Sequence, residues 1–281
     1  MNYLKTFLLM ALMTVVLVLA GNAIAGTEGL VWALVLAVLL NFFAYWYSDR
    51  AAIMMTGSVP LPENQAPQVY RALRELTTRA GMPMPRVYLM PVEQPNAFAA
   101  GRNPENAVVS VTRGLLHLLD YDELKGVLAH ELAHIRNRDI LISTIAAIMA
   151  GALVFISRIG MWGVYMGGGR RQNEGGGLIT ALFSLLALIL APLAALLIRM
   201  AISRTREYQA DATGASLAGE GEGLASALLK MESYAARRPL AVNDAASHMF
   251  IINPLSAEGL RNLFATHPPI RERVRRLRGL N

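Results

Sequence analysis

Two apolar runs stand almost end to end at the head of this 281-residue chain, at 6–25 and 30–47. Each is long enough for a helix to cross a hydrocarbon core, which takes about 20 residues. The link between them, 26–29, carries Glu28 and no basic residue, whereas Lys5 precedes the first run and Arg50 follows the second. Lys and Arg concentrate on the cytoplasmic side of membrane proteins, so both ends of this hairpin are expected in the cytoplasm. Ala23-Ile24-Ala25 before Gly26 also resembles a signal-peptide cleavage site, but a cleaved chain would still pass through the second run. Two further apolar runs, at 140–160 and 178–198, flank a glycine-rich linker at 167–177 that has no means of forming a core. About four transmembrane helices is the simplest arrangement. Arg158, Arg170 and Arg171 would then fall on the outer side, which suits equally a second hairpin that enters partway and turns back.

The expected organisation is therefore an N-terminal transmembrane hairpin at 1–48, a first soluble part at 49–139, a second transmembrane or membrane-embedded hairpin at 140–198, and a second soluble part at 199–281. Within the soluble parts, 66–80 has the period of an amphipathic helix, and 86–90 and 107–112 read as short strands. Asp120, with Glu123 three residues later, forms a capping box that starts a helix at Tyr121. Helices are also expected at 201–218, 223–237 and 269–277, which makes the fold mainly α with a small β-sheet. The sequence contains no cysteine, which excludes disulfides, thiolate metal sites and cysteine catalysis. Its net charge of +6 is better explained by basic residues lying against anionic headgroups than by nucleic acid, since no nucleic-acid-binding module accompanies it.

The capped helix contains His130-Glu131-Leu132-Ala133-His134. Spacing of i, i+4 puts both imidazoles on one helical face, where two nitrogens can share a zinc ion and Glu131 can serve as a base beside it. The bland alternative is a pair of surface histidines. A catalytic zinc normally takes a third protein ligand, for which His117 in a loop-like stretch, His248, His267 and the carboxylates are the candidates. Geometry favours Glu207. His134 lies just before one apolar run of the second hairpin and Glu207 just after the other, so helical continuation of both delivers the two groups at nearly the same height, about 9–10 Å beyond the runs. Asp211, one turn beyond Glu207, shares its face and could accept a hydrogen bond from the outer nitrogen of a ligand histidine. An intramembrane protease would carry the same motif inside an apolar span, but here Asp120, Asp122, Glu123, Lys125, Arg136, Arg138 and Asp139 surround it.

Together with Glu207-Tyr208-Gln209-Ala210-Asp211, this motif resembles that of the gluzincin membrane zinc metalloproteases. The resemblance extends over nearly the whole chain: Asn96-Ala97-Phe98-Ala99-Ala100-Gly101, the apolar pair between the metal motifs, His248-Met249-Phe250-Ile251-Ile252-Asn253-Pro254-Leu255, and Thr266-His267-Pro268-Pro269 with Arg273 beyond it. It implies a zinc-dependent endopeptidase of the bacterial cytoplasmic (inner) membrane, multi-pass, with its catalytic domain facing the cytoplasm and one Zn2+ per chain. The implied work is hydrolysis of misfolded or damaged membrane proteins in quality control and stress response. The resemblance also supports Glu207 as the third ligand and places Asn96 and Phe98 at the active-site rim, although Asn96 would equally serve a turn. Hydrolysis would use zinc-activated water with Glu131 as general base. His267 either donates to the oxyanion or opens a helix with Pro268 while Arg273 makes a structural ion pair. Strand 107–112 is expected either as an edge strand that binds substrate main chain or as an internal strand with no such role. Partners are the membrane and protein or peptide substrates, not nucleic acid, and assembly into a homo-oligomer stays open.

Overall fold

The computed structural model describes residues 2–149, 204–237 and 268–279. The described chain divides into two compact units, one containing 2–46 and 145–149, the other containing 47–144, 204–237 and 268–279. Most of the expected second membrane hairpin, the start of the helix expected from 201, His248 and His267 lie outside the described residues. Ile140–Met149 is a short apolar helix.

In the first unit, α1 (Asn2–Trp46) is helical throughout except at Ala25 and Gly26. It therefore supplies two stretches, Leu4–Asn22 and Ala25–Trp46, each long and apolar enough to cross a membrane. Gly26 sits at φ +58°, a conformation that side chains resist, and this lets the chain reverse in two residues where the sequence suggested four. Close approach follows at once: a Cβ on Gly21 would lie 2.4 Å from the carbonyl oxygen of Gly29. Further along, Asn41 Nδ2 donates to Thr14 Oγ1 at 2.8 Å, a polar link between apolar helices.

The second unit opens with α2 (Ser48–Thr56) and the two-residue strand β1 (Val59–Pro60). The amphipathic helix α3 (Pro67–Ala80) follows, burying Val69, Leu73 and Leu76 along one stripe. Strands β2 (Arg86–Met90), β3 (Ala97–Ala100) and β4 (Val108–Thr112) complete a sheet of order β1-β2-β4-β3. β4 pairs in parallel with β2 and antiparallel with β3, so the strand offered as a substrate-binding edge is internal. Both of its faces are covered. Val109 and Val111 enter the main core with α3 and the helices that follow, whereas Val108 joins Ala52, Met90, Phe98 and Ala100 on the other face. The edge position belongs to β3, whose Ala-Phe-Ala-Ala sequence lacks the β-branched residues that would mark a strand. Next comes α4 (Arg113–Leu118), capped by Thr112, so His117 lies in a helix and not in a loop.

α5 (Tyr121–Arg136) is the centre of this unit. Its capping box forms as expected, with Glu123 N donating to Asp120 Oδ1 at 3.0 Å and Asp120 N to Glu123 Oε2 at 3.1 Å. α7 (Arg204–Ala218), α8 (Glu222–Arg237) and α9 (Ile270–Arg278) pack in the same unit, α6 being Ile140–Met149. Leu124, Val127, Leu128, Leu132 and Ile135 of α5 are all buried, and each such side chain contributes about 1.5–3 kcal/mol of transfer free energy. α5 and α8 touch backbone to backbone, because a Cβ on Gly126 would lie 2.4 Å from Leu224 N. Serving the cap as well, Glu123 accepts from Lys230 Nζ at 2.6 Å, which ties the start of α5 to α8.

α9 brings a charge into this core. Arg273 is fully buried and donates to both oxygens of Asp211 on α7, from Nε at 2.8 Å and from Nη2 at 2.6 Å. Arg276 stacks over the Tyr208 ring at 3.7 Å on the same pair of helices. Burial pushes the Asp211 carboxyl up, but hydrogen bonds from Arg273 and His130 outweigh it and hold the group well below the usual carboxylate range.

Two outcomes are expected from this packing. Gly126→Ala should lower stability by about 1–3 kcal/mol through overpacking, even though alanine favours helix by about 1 kcal/mol; a thermal midpoint in detergent that stays put or rises would show that α5 and α8 separate freely. Because the Asp211 pKa is depressed on folding, its contribution to stability is present above about pH 4 and is lost as the pH falls below that. The stability gap between wild type and Asp211→Asn should therefore narrow from pH 5 to pH 3.

Candidate metal centre

The middle of α5 presents His130 and His134 one turn apart, and α7 carries Glu207 to meet them. Glu207, Asp211 and Gly214 recur at i, i+4 and i+7, hence on one face of α7. Gly214 allows that face to close on α5, since a Cβ there would lie 3.0 Å from His130 N, tighter than ordinary contact. One ligand atom from each of His130, His134 and Glu207 falls within 4.8 Å of the others. The two Nε2 atoms are 3.2 Å apart, and the carboxylate oxygens of Glu207 lie 3.9 Å from His130 Nε2 and 3.6 Å from His134 Nε2. The rings stand edge to face, at 87°.

Each imidazole turns its other nitrogen to a carboxylate. His130 Nδ1 is 3.0 Å from Asp211 Oδ1, and His134 Nδ1 is 3.4 Å from Asp139 Oδ2. Nδ1–H donated outward leaves the Nε2 lone pairs facing each other and Glu207, the arrangement of histidines that ligate a metal. Burial disfavours a charge on His134, yet its hydrogen bond with Asp139 and the charges of Glu207, Glu131 and Asp139 outweigh this and push it up to about 9. A site that holds a proton so firmly attracts cations, and a metal ion would displace that proton. Charge agrees with the donor set: buried Glu131, Asp139, Glu207 and Asp211 face the guanidinium groups of Arg206 and Arg273, an excess of negative charge suited to a divalent cation. Two imidazoles and a carboxylate fit zinc.

The remaining sequence candidates are distributed unevenly. Glu131 is 5 % exposed and close enough for its charge to act on both His134 and Arg273. Arg273 does make the ion pair the sequence suggested, with Asp211, and its Nη2 also reaches within 3.4 Å of His130 Nδ1. Asn96 is fully buried at the start of β3, where its N–H donates to Thr112 Oγ1 at 2.8 Å and its carbonyl accepts from Thr112 N at 2.9 Å. Phe98 packs in the small cluster with Ala52 and Met90, on the sheet face opposite the main core, and so is not brought to the histidines. His117 is exposed beside Glu93 and stands apart from the cluster. His267 lies outside the described residues. Asp139 and Arg206 at the centre were not singled out in the sequence; the signal for Asp139 was its place just past the end of the motif helix.

Comparison with known proteins gives the same reading. The sequence pattern of peptidase family M48 matches residues 63–281. A protease HtpX homolog of Pelotomaculum thermopropionicum is 55% identical over 280 residues, covering 100% of this chain and 99% of its own length. One from Desulfatibacillum aliphaticivorans is 50% identical over 99% of this chain and 89% of its own. In fold, the chain is similar to the crystal structure of S. mikatae Ste24p, with a TM-score of 0.53 at 18% identity over 98% of this chain and 65% of that one. With the metal motifs, the helical fold and these relatives in agreement, the chain belongs to peptidase family M48 and is a metalloendopeptidase.

Proposed function

We propose that the chain is a membrane-anchored zinc endopeptidase in which His130, His134 and Glu207 hold one Zn2+ and Glu131 is the general base. The observation that carries this reading is the convergence of both Nε2 atoms and the Glu207 carboxylate within 4.8 Å while both Nδ1 atoms face carboxylates. When bound, zinc supplies a Lewis acid that lowers the pKa of a water nucleophile and polarises the scissile carbonyl. Glu131, adjacent to His130 and largely withdrawn from solvent, takes the proton of the attacking water and returns it to the leaving amine. Asp211 fixes the tautomer of His130, and Arg273 keeps Asp211 ionised.

Substrate main chain is assigned to the β3 edge, which has no outer sheet neighbour among the described residues and whose start is pinned by the Asn96–Thr112 bonds. Asn96 and Phe98 would then act through that strand, Asn96 at its head and Phe98 by packing its outer face. In the sequence His267 lies three residues ahead of Ile270, where the helix that brings Arg273 to His130 begins, and it is the candidate donor to the oxyanion. The two N-terminal helices support a multi-pass anchor, and Lys5 and Arg50 support a cytoplasmic catalytic unit. A peptidase tethered beside the bilayer meets misfolded or damaged membrane proteins first, which makes them its proposed substrates in stress response.

Detergent-purified protein tests this directly through zinc content and casein cleavage. Glu131→Gln should keep its metal and lose about 10²–10⁴ of its activity, whereas Glu207→Ala should lose both. Wild type that takes up no zinc on reconstitution and cleaves nothing would sink the proposal.

A further inference from the structure

The mechanism leaves Asp139 and Arg206 without a task, and the way α5 ends suggests one. Arg138 N donates to Ile135 O at 3.1 Å and Asp139 N to His134 O at 2.9 Å, the paired bonds of a Schellman termination. Such an ending needs one residue in the left-handed region, normally glycine, and here Arg138 occupies it at φ +58°. A side chain resists that conformation, because its Cβ crowds the following carbonyl oxygen. The outcome is that Asp139 folds back over the last turn. In the usual motif an apolar contact joins the first residue past the turn to the residue five before it. In this chain those positions are Asp139 and His134, and the contact is from carboxylate Oδ2 to imidazole Nδ1 at 3.4 Å.

Behind Asp139 stands Arg206, delivered by α7 from the position next to Glu207. Its side chain is 11% exposed, and its Nη1 lies 3.9 Å from Asp139 Oδ1. Among the described residues none of its three guanidinium nitrogens has a hydrogen-bond partner, and its buried charge is balanced through space by Asp139 and Glu207. The other histidine has the same sequence of groups: His130 Nδ1, Asp211 and the buried Arg273.

We infer that Asp139, backed by Arg206, is the positioning carboxylate of His134, so that each imidazole of the centre is set by its own Asp–Arg pair. The inference rests on the metal-site reading above. Asp139 accepts Nδ1–H, which fixes the tautomer that leaves Nε2 free for the metal and raises the basicity of that nitrogen. Arg206, 3.9 Å behind the carboxylate, draws Oδ1 to itself and leaves Oδ2 turned toward the ring.

The experiment is zinc affinity of the full-length, metal-stripped protein in detergent, by competition with a chelator, alongside the visible spectrum of the cobalt-loaded form and the thermal midpoint without metal. Asp139→Ala should weaken zinc binding about 10–100-fold. Asp139→Asn should lose less, because its amide oxygen still accepts from Nδ1–H, and Arg206→Gln should follow Asp139→Asn. Cobalt spectra should shift in the same order. That graded recovery separates positioning from general destabilisation, which would follow the midpoint instead. Wild-type affinity and spectrum in Asp139→Ala would overturn the inference; if that variant does not fold, unchanged affinity and spectrum in Asp139→Asn do so. Wild type that binds no zinc would overturn the metal centre itself, a result distinguishable from either.

Discussion

Everything at the centre depends on how closely α7 approaches α5. Helices usually pack with axes 8–10 Å apart because side chains separate them. Gly214 against the backbone of His130, and Gly126 against Gly223 and Leu224 on the α8 side, remove that spacer at two levels of the same helix. The gain is reach. A glutamate is a short side chain, and only near contact of the two backbones brings Glu207 to a point shared with His130 and His134. The same face of α7 holds Asp211 one turn on, so one packing decision brings both Glu207 and Asp211 to the histidines.

The second dependence is electrostatic. Placing Glu131, Asp139, Glu207 and Asp211 together out of water is costly unless compensating charge accompanies them. Two arginines are carried in on different helices, and Arg273 is fully buried with two hydrogen bonds to Asp211. The elevated His134 pKa, about 9, is the residual demand for positive charge expressed as an affinity for protons. Acid chemistry and metal chemistry are then two readings of one field.

What could be read from the sequence was whatever depends on local spacing. The i, i+4 histidines, the Asp120–Glu123 cap and the stripe of α3 need only the helix period, and each appears at its expected place. Glu207 could be singled out because its distance from an apolar run matched that of His134. Strand order could not be inferred in this way. The sequence Ala97–Ala100 has little strand propensity, and its pairing with β4 is set by tertiary contact, so the choice between an edge and an internal place for 107–112 stayed open until the structure made it internal. Asp139 escaped notice for a related reason. Its approach to His134 needs a left-handed residue, and the sequence has arginine where that conformation normally signals itself by glycine.

The division of the metal site between α5 and α7 also orders events in time. Both histidines and Glu131 are made early, and Glu207 follows only after the whole 140–198 segment has been synthesised. At about 5–20 residues per second, the roughly 70 residues between His134 and Glu207 take on the order of 4–14 s to emerge. Through that interval the nascent chain carries Glu131 and both imidazoles but not Glu207. On the proposed ligand set, a peptidase built this way would be silent while it is being made beside other unfolded chains, and would gain its activity only once α7 reaches the centre.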